Sequence, residues 1–278
     1  MWSAMIGDII GSTFEVENHR SPFFELFRKD ARFTDDTVCT VAVADILNSM
    51  SSMPEKKSDF TYYLDNDWVS NKMRIWCCSY LNRGFGSMFY QWLTNGINQP
   101  YRSYGNGALM RISPVPLYGV KNGWDIKKTK EIALDITNIT HNHKDAQNAI
   151  TCYVDILYCL LKDRFTIEKA KEEIIKKLTS YGYEAPKKVE EYRLSLEFDL
   201  TCTTSLLVAC AGVLEANSYE EVFSWVVSMG GDTDTYCAIA GPIAEAIWGL
   251  DSLYLELIKP YFRNYDNELL SVMEEMYK

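Results

Sequence analysis

Residues 36–49 read DTVCTVAVADILNS, and their apolar residues recur three and four positions apart, the spacing of one face of an α-helix. The same spacing returns in residues 60–81, 125–139, 145–161, 167–181, 203–216, 219–229, 235–248 and 253–262, which predicts about nine helices and some shorter pieces. No two alternating apolar and polar runs are joined by an Asn-Gly or Asp-Gly turn, so hairpins leave no signal. Breakers fall at residues 49–58, 83–86, 95–107 and 181–188, none long enough to be a domain linker. There is no repeat of fixed period and no low-complexity tract. The expectation is an all-α fold, one compact many-helix domain over residues 1–278.

The composition agrees with that reading. Of 278 residues, 47% are hydrophobic and 24% charged, as in an ordinary globular protein. The net charge is -10, from 28 Lys and Arg against 38 Asp and Glu. No cluster of Lys and Arg is dense enough to track a phosphate backbone, which excludes a duplex nucleic-acid patch. Eight cysteines (Cys39, Cys77, Cys78, Cys152, Cys159, Cys202, Cys210 and Cys237) form no CxxC pair. They read as small buried hydrophobes in a reducing compartment. No apolar run approaches the ~20 residues that span a bilayer, and MWSAMIGDIIGSTFE has no basic flank or cleavage site. A cytoplasmic monomer without a membrane partner is expected.

Two acidic clusters stand out. Residues 33–37 read FTDDT and run into the first helix quoted above, which puts Asp35 and Asp36 at its N-terminus. One Asp there caps backbone N–H groups and suits the helix dipole. Two adjacent carboxylates between threonines exceed what a cap requires, and their repulsion in a partly buried site is relieved by a hard cation. Residues 229–241 read MGGDTDTYCAIAG, a turn opening into another helix. Gly230 and Gly231 permit a tight bend that turns Asp232 and Asp234 inward. On a formed helix the i, i+2 spacing would set these carboxylates about 200° apart, whereas on an extended turn they can face one way. Small residues follow at Ala238, Ala240, Gly241, Ala244 and Ala246, which suit close helix packing. The donor set is all hard oxygen, without Cys or His, and favours Mg²⁺, Mn²⁺ or Ca²⁺ over zinc or copper. The clusters can cooperate only if the fold brings both helix starts to one cleft.

Five motifs in order, GDIIGSTFE (7–15), TDDT (34–37), SYGNGALMR (103–111), THNH (140–143) and GGDTDT (230–235), resemble the ADP-ribosylglycohydrolase family over residues 5 to about 250. The resemblance implies an all-α fold with a binuclear Mg²⁺ or Mn²⁺ centre. Carried onto this chain, it implies that Thr34, Asp35 and Asp36 hold one metal and that Asp232, Asp234 and Thr235 hold the other, with Asp234 bridging. Glu15 resembles the family's mobile glutamate. Ser103, Tyr104, Gly105, Asn106 and Gly107 look like the loop along the diphosphate and ribose, where exposed backbone N–H groups would favour an anion. His141 matches a residue that contacts ADP-ribose, and His143 reads as structural or supporting. Residues 198–202 (FDLTC) resemble a family segment, but Thr203, Thr204, Ser205 and Leu206 replace the Gly and Pro expected next, so the acceptor side departs from the pattern.

The implied reaction is hydrolysis at ribose C1″ of an ADP-ribosylated protein or other ADP-ribosylated acceptor, with ADP-ribose as product. Glu15, Asp35 and Asp36 are the expected catalytic residues, Glu15 for proton transfer and the aspartates for placing water. Two other functions use the same residues: a catalytically silent ADP-ribose-binding protein, and a dimetal phosphoesterase acting by in-line displacement.

Overall fold

The computed structural model describes residues 1–15, 17, 19–50, 64–263 and 266–278. In chain order its helices are α1 (Trp2–Gly11), α2 (Asp35–Ser49), α3 (Asn66–Cys78), α4 (Ser87–Asn95), α5 (Pro114–Lys121), α6 (Ile126–Asn138) and α7 (Lys144–Lys162). They continue as α8 (Ile167–Ser180), α9 (Val189–Ser195), α10 (Cys202–Glu215), α11 (Tyr219–Ser228), α12 (Thr233–Trp248), α13 (Ser252–Ile258) and α14 (Asn267–Tyr277). Among the described residues the β pairing is one isolated bridge, Gly105 to Thr201, so the all-α expectation holds. No helix among them is long and apolar enough to cross a membrane. All eight cysteines are free thiols, and Cys39, Cys77, Cys152, Cys202, Cys210 and Cys237 are buried.

Each expected helix has a counterpart, with ends set by local chemistry. The helix expected at 60–81 is α3, which starts after Asp65 accepts the Trp68 N–H at 3.0 Å. Residues 60–63 and most of the 49–58 breaker lie outside the described residues. The helix expected at 253–262 ends as α13 and gives way to a 3₁₀ turn, Lys259–Tyr261, that contains Pro260. Five helices escaped the periodicity: α1, α4, α5, α9 and α14. For α1 the reason is plain, since all ten of its residues are buried and a helix covered on every side has no polar face to mark a period.

Helix α1 is the centre of the molecule. A methyl group added at Gly7 would stand 2.2 Å from the Cys237 carbonyl oxygen, one at Gly11 2.3 Å from that of Thr233, and one at Gly241 2.1 Å from that of Ser3. Only hydrogen at these positions lets the α1 and α12 backbones touch, and the Thr233 hydroxyl donates to the Gly11 carbonyl at 2.9 Å. The small residues of α12 therefore serve close packing, as expected. Around this pair one continuous apolar core gathers α2, α7, α10 and α11.

Candidate metal centre and cleft

The first acidic cluster is placed by a residue the sequence reading assigned no role. Asp8, on α1 and fully buried, accepts four hydrogen bonds from the start of α2. They come from Thr34 N–H (2.9 Å), Thr34 Oγ1 (2.7 Å), Thr37 N–H (3.0 Å) and Thr37 Oγ1 (2.5 Å). Capping of α2 is thus done by Thr34 itself, which accepts from Asp36 N–H at 3.3 Å, and by Asp8 from a neighbouring helix. Asp35 and Asp36 occupy the first turn with their carboxylates released from capping. The signal for Asp8 was a lone carboxylate inside an apolar run, MIGDII.

The second cluster reaches the same place from α12. Gly230 and Gly231 both have left-handed φ, 70° and 79°, as the tight bend required. Asp232 is the N-cap residue and is outside helical geometry, yet its side chain caps nothing. Asp234 lies in the first helical turn. The i, i+2 carboxylates converge because one stands just before the helix and the other just within it, which modifies the expected extended turn. Asn106 donates to Asp232 Oδ2 at 2.5 Å, Thr235 N–H donates to Asp234 Oδ1 at 2.9 Å, and Thr235 Oγ1 donates to Asp36 Oδ2 at 3.3 Å. Oxygen atoms of Glu15, Asp232 and Asp234 lie within 4.8 Å of one another.

Glu15, Thr34, Asp35, Asp36, Asp232, Asp234 and Thr235 all line one cleft. Thr34, Asp36, Asp232, Asp234 and Thr235 are buried, and Glu15 and Asp35 are partly exposed. Among the described residues no Lys or Arg forms an ion pair with any of these carboxylates. The Asp35 carboxyl is pushed up to about 8 by burial and then by Asp8, while a backbone N–H acts in the opposite sense. Burial, followed by Asp8, Asp35 and Asp232, drives Asp36 well upward. Asp234 rises by burial, then by Asp232, Asp36 and Glu15. Glu15 rises by burial and by Asp232, partly offset by the charge of Arg32.

A divalent ion fits this site. Asp36 Oδ1 is buried and has no hydrogen-bond partner, and an unpaired carboxylate oxygen in such a place is costly unless a cation takes it. The remaining donors are carboxylates and threonine hydroxyls, hard oxygens suited to Mg²⁺ or Mn²⁺.

The cleft encloses about 360 Å³, enough for a small-molecule ligand. Its other wall holds Ser103, Gly105, Asn106, Gly107 and His141, together with Phe198 and Leu200. Two expectations change here. Tyr104 is 54% exposed, does not line the cleft, and rests its ring 5.4 Å from that of His143. Two of the loop's backbone N–H groups are taken within the protein: Gly105 donates to Ser103 Oγ at 3.1 Å and Asn106 to the Leu200 carbonyl at 2.7 Å. The bridge to Thr201 takes the Asn106 N–H, and Ser103 takes that of Gly105. His141 is buried, whereas His143 is the N-cap of α7 and accepts the Asp145 N–H on Nδ1 at 3.2 Å, a structural role. Sequence reasoning also missed Arg111, which is 1% exposed and lines the cleft behind the glycines. Gly84, with φ 106°, is the near neighbour of the Asp35 carboxylate across the mouth.

Comparison with known proteins agrees with this fold. A model of the ADP-ribosylglycohydrolase family matches residues 1–277. A solved structure described as an "ADP-ribosylglycohydrolase-related protein complex" superposes with a TM-score of 0.61, covering 99% of this chain and 97% of its own at 17% identity. At that identity the likeness speaks for the fold. No curated protein matches the chain.

Proposed function

The chain belongs to the ADP-ribosylglycohydrolase family, and from that premise we propose that it removes ADP-ribose from a modified acceptor by hydrolysis at C1″. Thr34, Asp35 and Asp36 would hold one divalent ion and Asp232, Asp234 and Thr235 the other, with Asp234 shared and Glu15 at the edge of the pair. When bound, Mg²⁺ or Mn²⁺ neutralises the clustered carboxylates, orients the ribose hydroxyls and eases deprotonation of water.

The chain's own residues do the rest. Cleavage passes through an oxocarbenium-like transition state, so the protein must present water to C1″ and manage one proton. Asp35 and Asp36 place the water. Glu15, partly exposed and with its proton held more tightly by burial and by Asp232, transfers the proton. Ser103, Gly105, Asn106, Gly107 and His141, with the backbone at Tyr104, bind the ADP-ribose. Residues 1–278 act as one domain.

What supports this reading is the meeting of clusters nearly two hundred residues apart: Thr235 bonds to Asp36 while the other oxygen of Asp36 has no partner. The test is a mass-spectrometric screen of defined ADP-ribosylated substrates, run with Mg²⁺, with Mn²⁺ and in chelator. Free ADP-ribose released only with metal is the expected result. Inorganic phosphate as product, or binding of ADP-ribose without turnover of any substrate, would overturn it.

A further inference from the structure

We propose that Arg111 and Thr140 are positioning residues that hold His141 with its proton on Nε2, as a fixed N–H donor facing the cleft. This rests on the reading that the cleft takes ADP-ribose, and it concerns how one side chain is prepared for that ligand.

Arg111 donates from Nη1 to the Gly107 carbonyl at 2.8 Å and from Nη2 to Thr140 Oγ1 at 2.9 Å. A guanidinium has donors only, so the Thr140 oxygen is the acceptor in that contact and keeps its own proton to give elsewhere. The acceptors beside it are His141 Nδ1 at 2.7 Å, the Thr137 carbonyl at 3.4 Å and the Tyr101 hydroxyl, which has a proton of its own to give. The first is near the preferred length for a hydroxyl donor and the second is at the limit, so the proton goes to Nδ1. A neutral imidazole that accepts on Nδ1 carries hydrogen on Nε2.

The ring is neutral because burial, and then the nearby Arg111 charge, press its pKa well below the ordinary value. The Nε2 edge looks onto the glycine loop, where a methyl group at Gly107 would stand 3.6 Å from Nε2 and one at Gly105 3.9 Å. Hydrogen at both positions leaves the N–H uncovered in the cleft. A donor fixed in this way pairs with a ligand oxygen that accepts, such as a phosphoryl oxygen, in a loop whose own Gly105 and Asn106 N–H groups are already engaged.

The test is nitrogen-15 NMR of the full chain. It has three histidines, and His141→Gln identifies the signals of His141. The unmodified protein without ligand is expected to show His141 with a bare Nδ1 and a protonated Nε2. Thr140→Val should disturb that pattern, and Thr140→Ser should restore it. ADP-ribose titrated by calorimetry should bind Thr140→Val about tenfold more weakly, the scale of one hydrogen bond to a charged group, and Thr140→Ser nearly as well as the unmodified protein. A proton on Nδ1 in the unmodified protein, an unchanged pattern in Thr140→Val, or unaltered ADP-ribose affinity in a Thr140→Val protein of changed pattern would each overturn the proposal. If the expected NMR patterns appear but the unmodified protein binds no ADP-ribose, the relay stands and the functional reading is what fails.

Discussion

Thr235 Oγ1 lies 3.3 Å from Asp36 Oδ2, a hydrogen bond between residues 199 positions apart. It joins the first turns of α2 and α12, and with them the two aspartate clusters. Asp36 is the point of greatest electrostatic cost: buried, ringed by Asp8, Asp35 and Asp232, and short of a partner on one oxygen.

Asp36→Asn should therefore change stability in opposite directions with and without metal. In chelator the substitution removes a carboxyl whose ionisation is disfavoured by burial and by its acidic neighbours, and the melting temperature should rise by a few °C, since about 1 kcal/mol corresponds to ~2–4 °C in a domain of this size. In saturating Mg²⁺ or Mn²⁺ it removes a ligand and should lower the melting temperature relative to the unmodified protein and abolish turnover. Scanning calorimetry in both buffers decides it. A shift of the same sign in both would show that Asp36 does not face a cation.

The pH dependence of the metal-free protein follows from Asp35. Its carboxyl titrates at about 8 in the folded chain, against an ordinary 3.8. Between those values the folded state holds more protons than the unfolded state, so stability falls as pH rises, the loss beginning above about 4 and complete near 8. Asp36 and Asp234, also raised, add to the same slope. A bound divalent ion requires deprotonated ligands, so its affinity should grow across that window. Melting curves from pH 5 to 8.5 should decline in chelator and flatten or reverse in Mg²⁺. A metal-free protein most stable at the alkaline end would contradict the sign.

The two acidic clusters were legible because each sets more carboxylates at a helix start than a cap requires, beside threonines or glycines. Their meeting was not, because it depends on α1, a helix buried on every side and so without a readable period. Asp8 shared that concealment. Its role is defined by what it accepts from Thr34 and Thr37, and nothing in GDII announces a partner 26 positions away. Tyr104 differs in the opposite sense: motif membership placed it at the ligand, while its ring is exposed and rests beside that of His143. The helix ends at Thr34 and Gly231 could be read from local chemistry; the burial that makes Asp36 costly could not.

Asp8 offers a clean separation of support from ligation. Asp8→Asn keeps one carbonyl oxygen for the α2 start but loses the second acceptor and the charge, so Thr34 is less firmly aimed. Mn²⁺ affinity by calorimetric titration should weaken about tenfold or more, the usual effect of losing a group that orients a ligand, with helix content retained. Asp8→Ala leaves two N–H groups and the Thr37 hydroxyl without acceptors and should cost about 3 kcal/mol or more in urea unfolding. An Asp8→Asn protein with unmodified Mn²⁺ affinity would reduce Asp8 to a helix-packing residue.

Gly11→Ala tests whether the contact between α1 and α12 sets the centre. The added methyl group would meet the Thr233 carbonyl oxygen at 2.3 Å and Asp234 Cα at 2.5 Å. Both are backbone atoms, so no side chain can rotate away and the helices must part. Overpacking of this kind costs about 1–3 kcal/mol. Because α1 also grips the start of α2 through Asp8, parting should widen the gap between Asp36 and Thr235 as well as strain the core. Two losses are therefore expected together: a lower urea midpoint in chelator and a weaker Mn²⁺ titration. Gly86→Ala, the N-cap of α4, where an added methyl group meets nothing within 4 Å, should lose only a cap's worth of stability, about 1 kcal/mol or less, and leave the Mn²⁺ titration unchanged. If Gly11→Ala lowered the midpoint but bound Mn²⁺ as tightly as the unmodified protein, the two clusters would be held together by something other than α1.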